Sequence, residues 1–168
     1  MPKGIKETSG LITVSASVTE SAANTFTSAT VDLQLDPLNN EVFVVYAIDL
    51  DLQEGDSIDG VDTVIRGSLS NVPRTSVGTL ADSNVLATER MVIQNQTTNA
   101  VMTTFSSGAA HPATQLEYLG IVYTNDFSLQ IQGTNQGAAK SMFGKVYGVR
   151  GRADSSIYAA GVQSELLS

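Results

Sequence analysis

The sequence predicts an all-β protein, an antiparallel β-sandwich, on three observations. First, Glu41 to Leu52 alternates: Val42, Val44, Tyr46, Ile48, Leu50 and Leu52 are all apolar, while the opposite set turns polar at Asp49 and Asp51. Side chains of a strand alternate between faces, so such a segment lies between a dry layer and a partly wet one. Its β-branched and aromatic content suits a strand better than a helix. Second, roughly nine segments of this kind recur at spacings near ten residues, with turn residues between them. Third, no strand–helix–strand rhythm interrupts them, which excludes a parallel α/β design.

In chain order, residues 1–10 are polar and aperiodic and are expected to form an N-terminal arm. Leu11 to Glu20 and Thr25 to Leu35 alternate as strands, and Asp36-Pro37-Leu38-Asn39-Asn40 is a turn into the central strand. Proline presets φ there, and asparagine tolerates the left-handed region. Strands are next expected at Val61–Leu69, Val85–Gln94 and Ala100–Phe105, followed by a loop of small residues from Ser106 to Thr114. Leu116–Thr124 and Phe127–Gln132 read as a pair joined at Asn125-Asp126. Lys140 to Arg152 is the last long strand, with Gly144, Gly148 and Gly151 marking bulges or close backbone approaches. Asp154-Ser155-Ser156 can cap a short helix carrying Tyr158, Val162 and Leu166 on one stripe.

These strands are long, and 168 residues exceed the hundred or so of an immunoglobulin domain. The expected topology is therefore a single jelly roll of about eight to nine strands. It spans residues 11–153, with a C-terminal tail at 154–168.

Composition narrows the chemistry. The chain has no cysteine and one histidine, so disulfides, thiolate metal sites and zinc are not expected. Charged residues are only 15% of the total, and the net charge is −8. Residues 1–84 hold twelve acids and four bases, whereas residues 85–168 hold five of each. This asymmetry suggests an acidic half that meets a neighbour's neutral or basic half. No apolar stretch is long enough to span a bilayer, and no signal peptide is visible, so synthesis in a cytosol is expected. The sequon Asn95-Gln96-Thr97 then carries no weight.

Six carboxylates, Asp49, Asp51, Glu54, Asp56, Asp59 and Asp62, fall within fourteen residues. Calcium takes several oxygen ligands, which makes Asp49, Asp51, Glu54, Asp56 and Asp59 candidate ligands. The spacing departs from an EF-hand, since Gln53 and Glu54 occupy places that pattern reserves for a ligand and a glycine. The alternative is a solvated acidic loop, and no other cofactor is expected.

His111 lies near Ser106 and Ser107, but no strand–turn–helix elbow surrounds these serines. Nor does anything single out two carboxylates for glycoside hydrolysis. No catalytic residue is expected, and no small-molecule substrate. Lys140, Lys145, Arg150 and Arg152 gather beside Phe143 and Tyr147 in the last strand, as candidate interface residues. If that strand is regular, Lys145 shares a face with the two aromatics and the arginines lie opposite. Contact with nucleic acid is therefore not the favoured reading.

The segment Gln132-Gly133-Thr134-Asn135-Gln136-Gly137 and the run from Lys145 to Asp154 resemble the end of small single jelly-roll capsid proteins of viruses. A Gly/Asn turn, a long final strand and a short polar tail carry the resemblance, which covers about the last forty residues. It implies a virion subunit that associates with copies of itself, and with other virion proteins, through sheet edges and loops. The chain lacks the strongly basic arm of many such proteins, which argues against direct packaging of a genome. The other readings are a carbohydrate- or calcium-binding sandwich module and a tail or decoration protein.

Overall fold

The computed structural model describes residues 1–96, 100–106 and 117–168. Among the described residues, ten strands form two antiparallel sheets. They are β1 (Ile5–Glu7), β2 (Ile12–Thr19), β3 (Thr27–Asp32), β4 (Glu41–Leu52), β5 (Thr63–Ser70), β6 (Val85–Gln96), β7 (Ala100–Ser106), β8 (Gly120–Val122), β9 (Asp126–Thr134) and β10 (Ser141–Ala153). One helix, α1 (Ser155–Leu167), follows. The first sheet runs β1-β10-β4-β8, with β2 also on β10; the second runs β3-β9-β5-β6-β7. β1 and β2 succeed one another along the same edge of β10, so part of the expected arm is a strand.

The turn into β4 forms as expected. Asp36 accepts a hydrogen bond from the Leu38 N–H (3.0 Å), and Asn40 adopts a left-handed φ of 53°. The expected 116–132 hairpin does not form: β8 pairs with β4, and β9 pairs with β3 and β5, in different sheets. Asn125 faces the β3–β4 connection instead, where its side chain accepts from the Leu35 N–H and donates to Asp32. The intervening residues therefore cross the sandwich.

β4 is central, but its alternation is broken once. Tyr147 pairs with Ala47 and Gly148 with Val45, so the register with β10 skips Tyr46. This bulge reverses which residues face inward. Phe43 and Val45 enter the main core, and beyond the bulge Ile48, Leu50 and Leu52 do. Val42 and Val44 face outward, against a second apolar cluster that Tyr46 borders. The regular face read from the sequence is thus two faces joined at a bulge. Gly148 sits where a Cβ would approach the Val44 carbonyl oxygen to 2.3 Å, so the backbones can meet there only without a side chain.

The main core lies between the sheets and includes Ile65, Leu69, Phe127, Leu129, Ile131, Met142 and Val146. The second cluster joins Ile5, Val42, Val44, Val149 and Ala153 to Ile157 and Tyr158 of α1, which therefore covers part of the first sheet's outer face. The helix uses only part of the expected stripe: Tyr158 packs against the sheet, but Leu166 is exposed. It docks through Ile157, Tyr158, Gly161 and the buried Glu165. The glycine that weakens the helix is what lets the Tyr123 ring sit against it: a Cβ at Gly161 would lie 2.3 Å from that ring. Among the described residues no helix is long and apolar enough to cross a membrane.

Candidate functional site

The expected calcium ligands are distributed over different environments. Asp49 and Asp51 stand on the outward face of β4 near its end, while Glu54, Asp56 and Asp59 lie in the following loop. Asp56 is committed to the fold. Its Oδ1 receives the Lys140 ammonium at 2.7 Å, and its Oδ2 accepts the Gly137 N–H at 2.8 Å. The Lys140 hydrogen bond holds the Asp56 carboxyl below the usual carboxylate range. Among the described residues, no three side chains of the metal-binding types gather closely enough to hold an ion.

The four bases of the last strand do not form one patch. Lys140 is only 4% exposed, so it is an internal tie between the β9–β10 and β4–β5 connections rather than a contact for a partner. Arg150 is also turned inward on the molecule. It donates to the Leu33 carbonyl oxygen (2.8 Å) and the Gln34 carbonyl oxygen (3.1 Å), and it pairs with Glu41 at 3.2 Å. Lys145 and Arg152 are exposed. β10 is not an edge strand, because β1 and β2 flank it on one side and β4 on the other. Its own alternation is regular, which puts Phe143, Lys145 and Tyr147 together on the outer face as expected. Tyr147 hydrogen-bonds Asp49, which raises the phenol above its ordinary range.

Those side chains mark the part of the first sheet that α1 leaves open. Phe143 faces Ser17 and Asp51, and Lys145 faces Ser15 and Asp49. The result is a shallow groove of about 550 Å³, with a half-exposed aromatic ring between hydroxyls, carboxylates and an ammonium. Such a surface can stack against a flat partner and hydrogen-bond its rim.

Three buried or partly buried carboxyls were not singled out by sequence. Glu20 accepts the Gly133 N–H (2.7 Å) and the Lys140 N–H (2.9 Å), locking the β9–β10 turn. Glu165 accepts the Tyr123 and Thr124 N–H groups (3.0 and 2.8 Å) and the Asn71 amide (2.9 Å). Burial pushes the Glu165 carboxyl up, against those hydrogen bonds. Glu89 stands in the inward series of β6 between Ala87 and Met91. One of its oxygens is shut off from solvent with no hydrogen-bond partner among the described residues, and burial, with Asp51 adding, raises its pKa to about 7. Only the third dimension distinguishes these acids from surface acids, so no local signal in the sequence marks them.

His111 and Ser107 lie outside the described residues, and Ser106 is placed only as the last residue of β7. No protein-family model matches the chain, and no curated protein matches it in sequence.

Proposed function

We propose that the chain is a single jelly roll and a self-assembling structural subunit, a capsid protein of a virion that builds a shell from copies of itself. The strand order supports the topology. With β1 and β7 set aside, the first strand pairs with the eighth (β2–β10) and the second with the seventh (β3–β9). The third pairs with the sixth (β4–β8) and the fourth with the fifth (β5–β6), all antiparallel. A long ribbon folded over on itself gives this nested order, which supports the jelly-roll reading.

The observation that carries the assembly reading is the state of the sheet edges. Among the described residues, β2 and β3 each have one strand neighbour along most of their length. No charged residue or proline occurs from Leu11 to Thr19 or from Ala22 to Val31. Edge strands of monomeric proteins are ordinarily guarded by charge, proline or bulges, because an open edge templates further pairing. Edges left this plain suit a subunit whose neighbours cover them. Size-exclusion chromatography with light scattering, then negative-stain microscopy, tests this on the purified chain. Closed, regular particles are expected; a monomer at every concentration overturns the reading.

The open groove around Phe143 favours a second reading, a carbohydrate-binding module, since exposed rings flanked by carboxylates suit sugar faces. A monomer that retains glycans on an array, and loses them in Phe143→Ala, would place that reading first.

A further inference from the structure

On the outer face of the second sheet, Arg66 of β5 lies directly opposite Arg90 of β6. Facing residues of an antiparallel pair have Cβ atoms about 5 Å apart, and like charges there repel. Both side chains are exposed. Among the described residues neither has an ion pair or side-chain hydrogen bond, although Arg74, Lys140 and Arg150 are all paired. In a chain of net charge −8, two adjacent guanidinium groups have no ion-pair partner among the described residues. They line a groove of about 580 Å³ with Gln132, Thr88 and the Ser76–Leu80 loop, which is fixed beneath by the Gly78 N–H donating to Ser68 (2.9 Å). Glu89, of the inward series of β6, also borders the groove but makes no ion pair with either arginine among the described residues.

The same molecule carries the complementary feature. Between β4 and β5 a tight turn closes with the Val61 N–H donating to the Ile58 carbonyl oxygen (3.1 Å) and Gly60 at φ 71°. It carries Asp59 in the turn and Asp62 just after it, with Glu54 earlier in the same connection, and all three are exposed and make no side-chain ion pair among the described residues. Arginine forks match carboxylates with two parallel hydrogen bonds, so two of them suit two carboxylates on a narrow tip.

We propose that the Arg66–Arg90 groove of one copy receives the Asp59–Gly60 tip of a second copy. The inference rests on the self-assembly reading and deepens it by naming one contact. That contact joins two different patches, so it propagates head to tail and closes only when the rotation permits. It also explains how strongly acidic subunits can approach one another: each junction brings carboxylates to arginines instead of to other carboxylates. A nucleic-acid strand is the weaker fit, because a polyanion needs a track of cations and only two lie here.

The test uses the full chain in four forms: unaltered, Arg66→Glu/Arg90→Glu, Asp59→Lys/Asp62→Lys, and all four changes together. Light scattering against concentration reads assembly, and thermal melting confirms that each form is folded. Each pairwise reversal should raise the concentration for half-assembly about tenfold or more, and the fourfold form should recover it. Arg66→Gln/Arg90→Gln supplies the milder variant if glutamate beside Glu89 prevents folding. Reversal variants that assemble like the unaltered chain overturn this contact while leaving the shell reading standing. So does a folded fourfold form that fails to recover, or arginines that bind DNA or RNA fragments without affecting assembly. An unaltered chain that never assembles overturns both.

Discussion

The two outer faces of the sandwich are covered by opposite means. On the first sheet α1 lays Ile157 and Tyr158 over Val42, Val44, Val149 and Ala153, an apolar contact flanked by the buried Glu165 carboxyl. On the second sheet part of the 71–84 connection lies over Ser68, Ser70 and Gln130, all wholly buried. Gln130 accepts from the Ser68 hydroxyl (2.7 Å) and donates to Ser70 (2.9 Å), while Ser68 accepts the Gly78 N–H and Ser70 donates to the Val72 carbonyl oxygen. A helix satisfies its own backbone and can press side chains onto a sheet. A loop brings unpaired N–H and C=O groups, so the strand beneath must offer hydroxyls and amides. The cover decides the chemistry of the face it hides.

The largest effect is expected where the helical cover depends on a single polar group. Glu165→Ala leaves the Tyr123 and Thr124 N–H groups and the Asn71 amide without their acceptor. Urea unfolding should show a loss of about 3 kcal/mol, with Glu165→Gln recovering part because it keeps one carbonyl oxygen. An alanine variant as stable as the unaltered chain would mean that apolar contact alone holds the helix.

The loop cover responds differently. Gln130→Leu keeps the volume and removes both amide bonds, so Ser68 and Ser70 each lose one partner and keep another. About 1.5 kcal/mol is expected, with increased proteolysis in the 71–84 connection as the local sign. If that connection stays as resistant as before, the network is not what secures it.

The two kinds of cover also limit what the sequence reveals. Alternation in Leu11–Glu20, Thr25–Leu35 and Glu41–Leu52 marks strands well, because each of these three strands turns one face to the main core. It could not mark the Tyr46 bulge, since Val42 and Val44 are as apolar as a core face and owe this to α1. Nor could it separate Ser68, Ser70 and Gln130 from polar residues that meet water, because a loop cover selects the same residue types as solvent does. The candidate sites suffered similarly. Lys140 and Asp56 read as surface charges, yet they are partners 84 residues apart. Arg66 and Arg90 became neighbours only through the β5–β6 register.

Glu89 sharpens the contrast on the smallest scale, because it is the acid that no cover serves. Glu165 is held by three donors, whereas one oxygen of Glu89 meets none among the described residues. Its folded pKa of about 7 lies above the ordinary value of 4.5. Between those limits the folded chain keeps a proton that the unfolded chain has released, so Glu89 makes stability fall as pH rises through the window and leaves it level above pH 7. Glu89→Gln removes that loss. Water screens a partly exposed carboxyl, so the gain at pH 8 should be about 1 kcal/mol, vanishing near pH 4.5. Urea midpoints of the two proteins across this range measure it. A constant difference between them at all pH values would show that Glu89 does not titrate differently in the folded state, and that its unpaired oxygen finds a partner in solution.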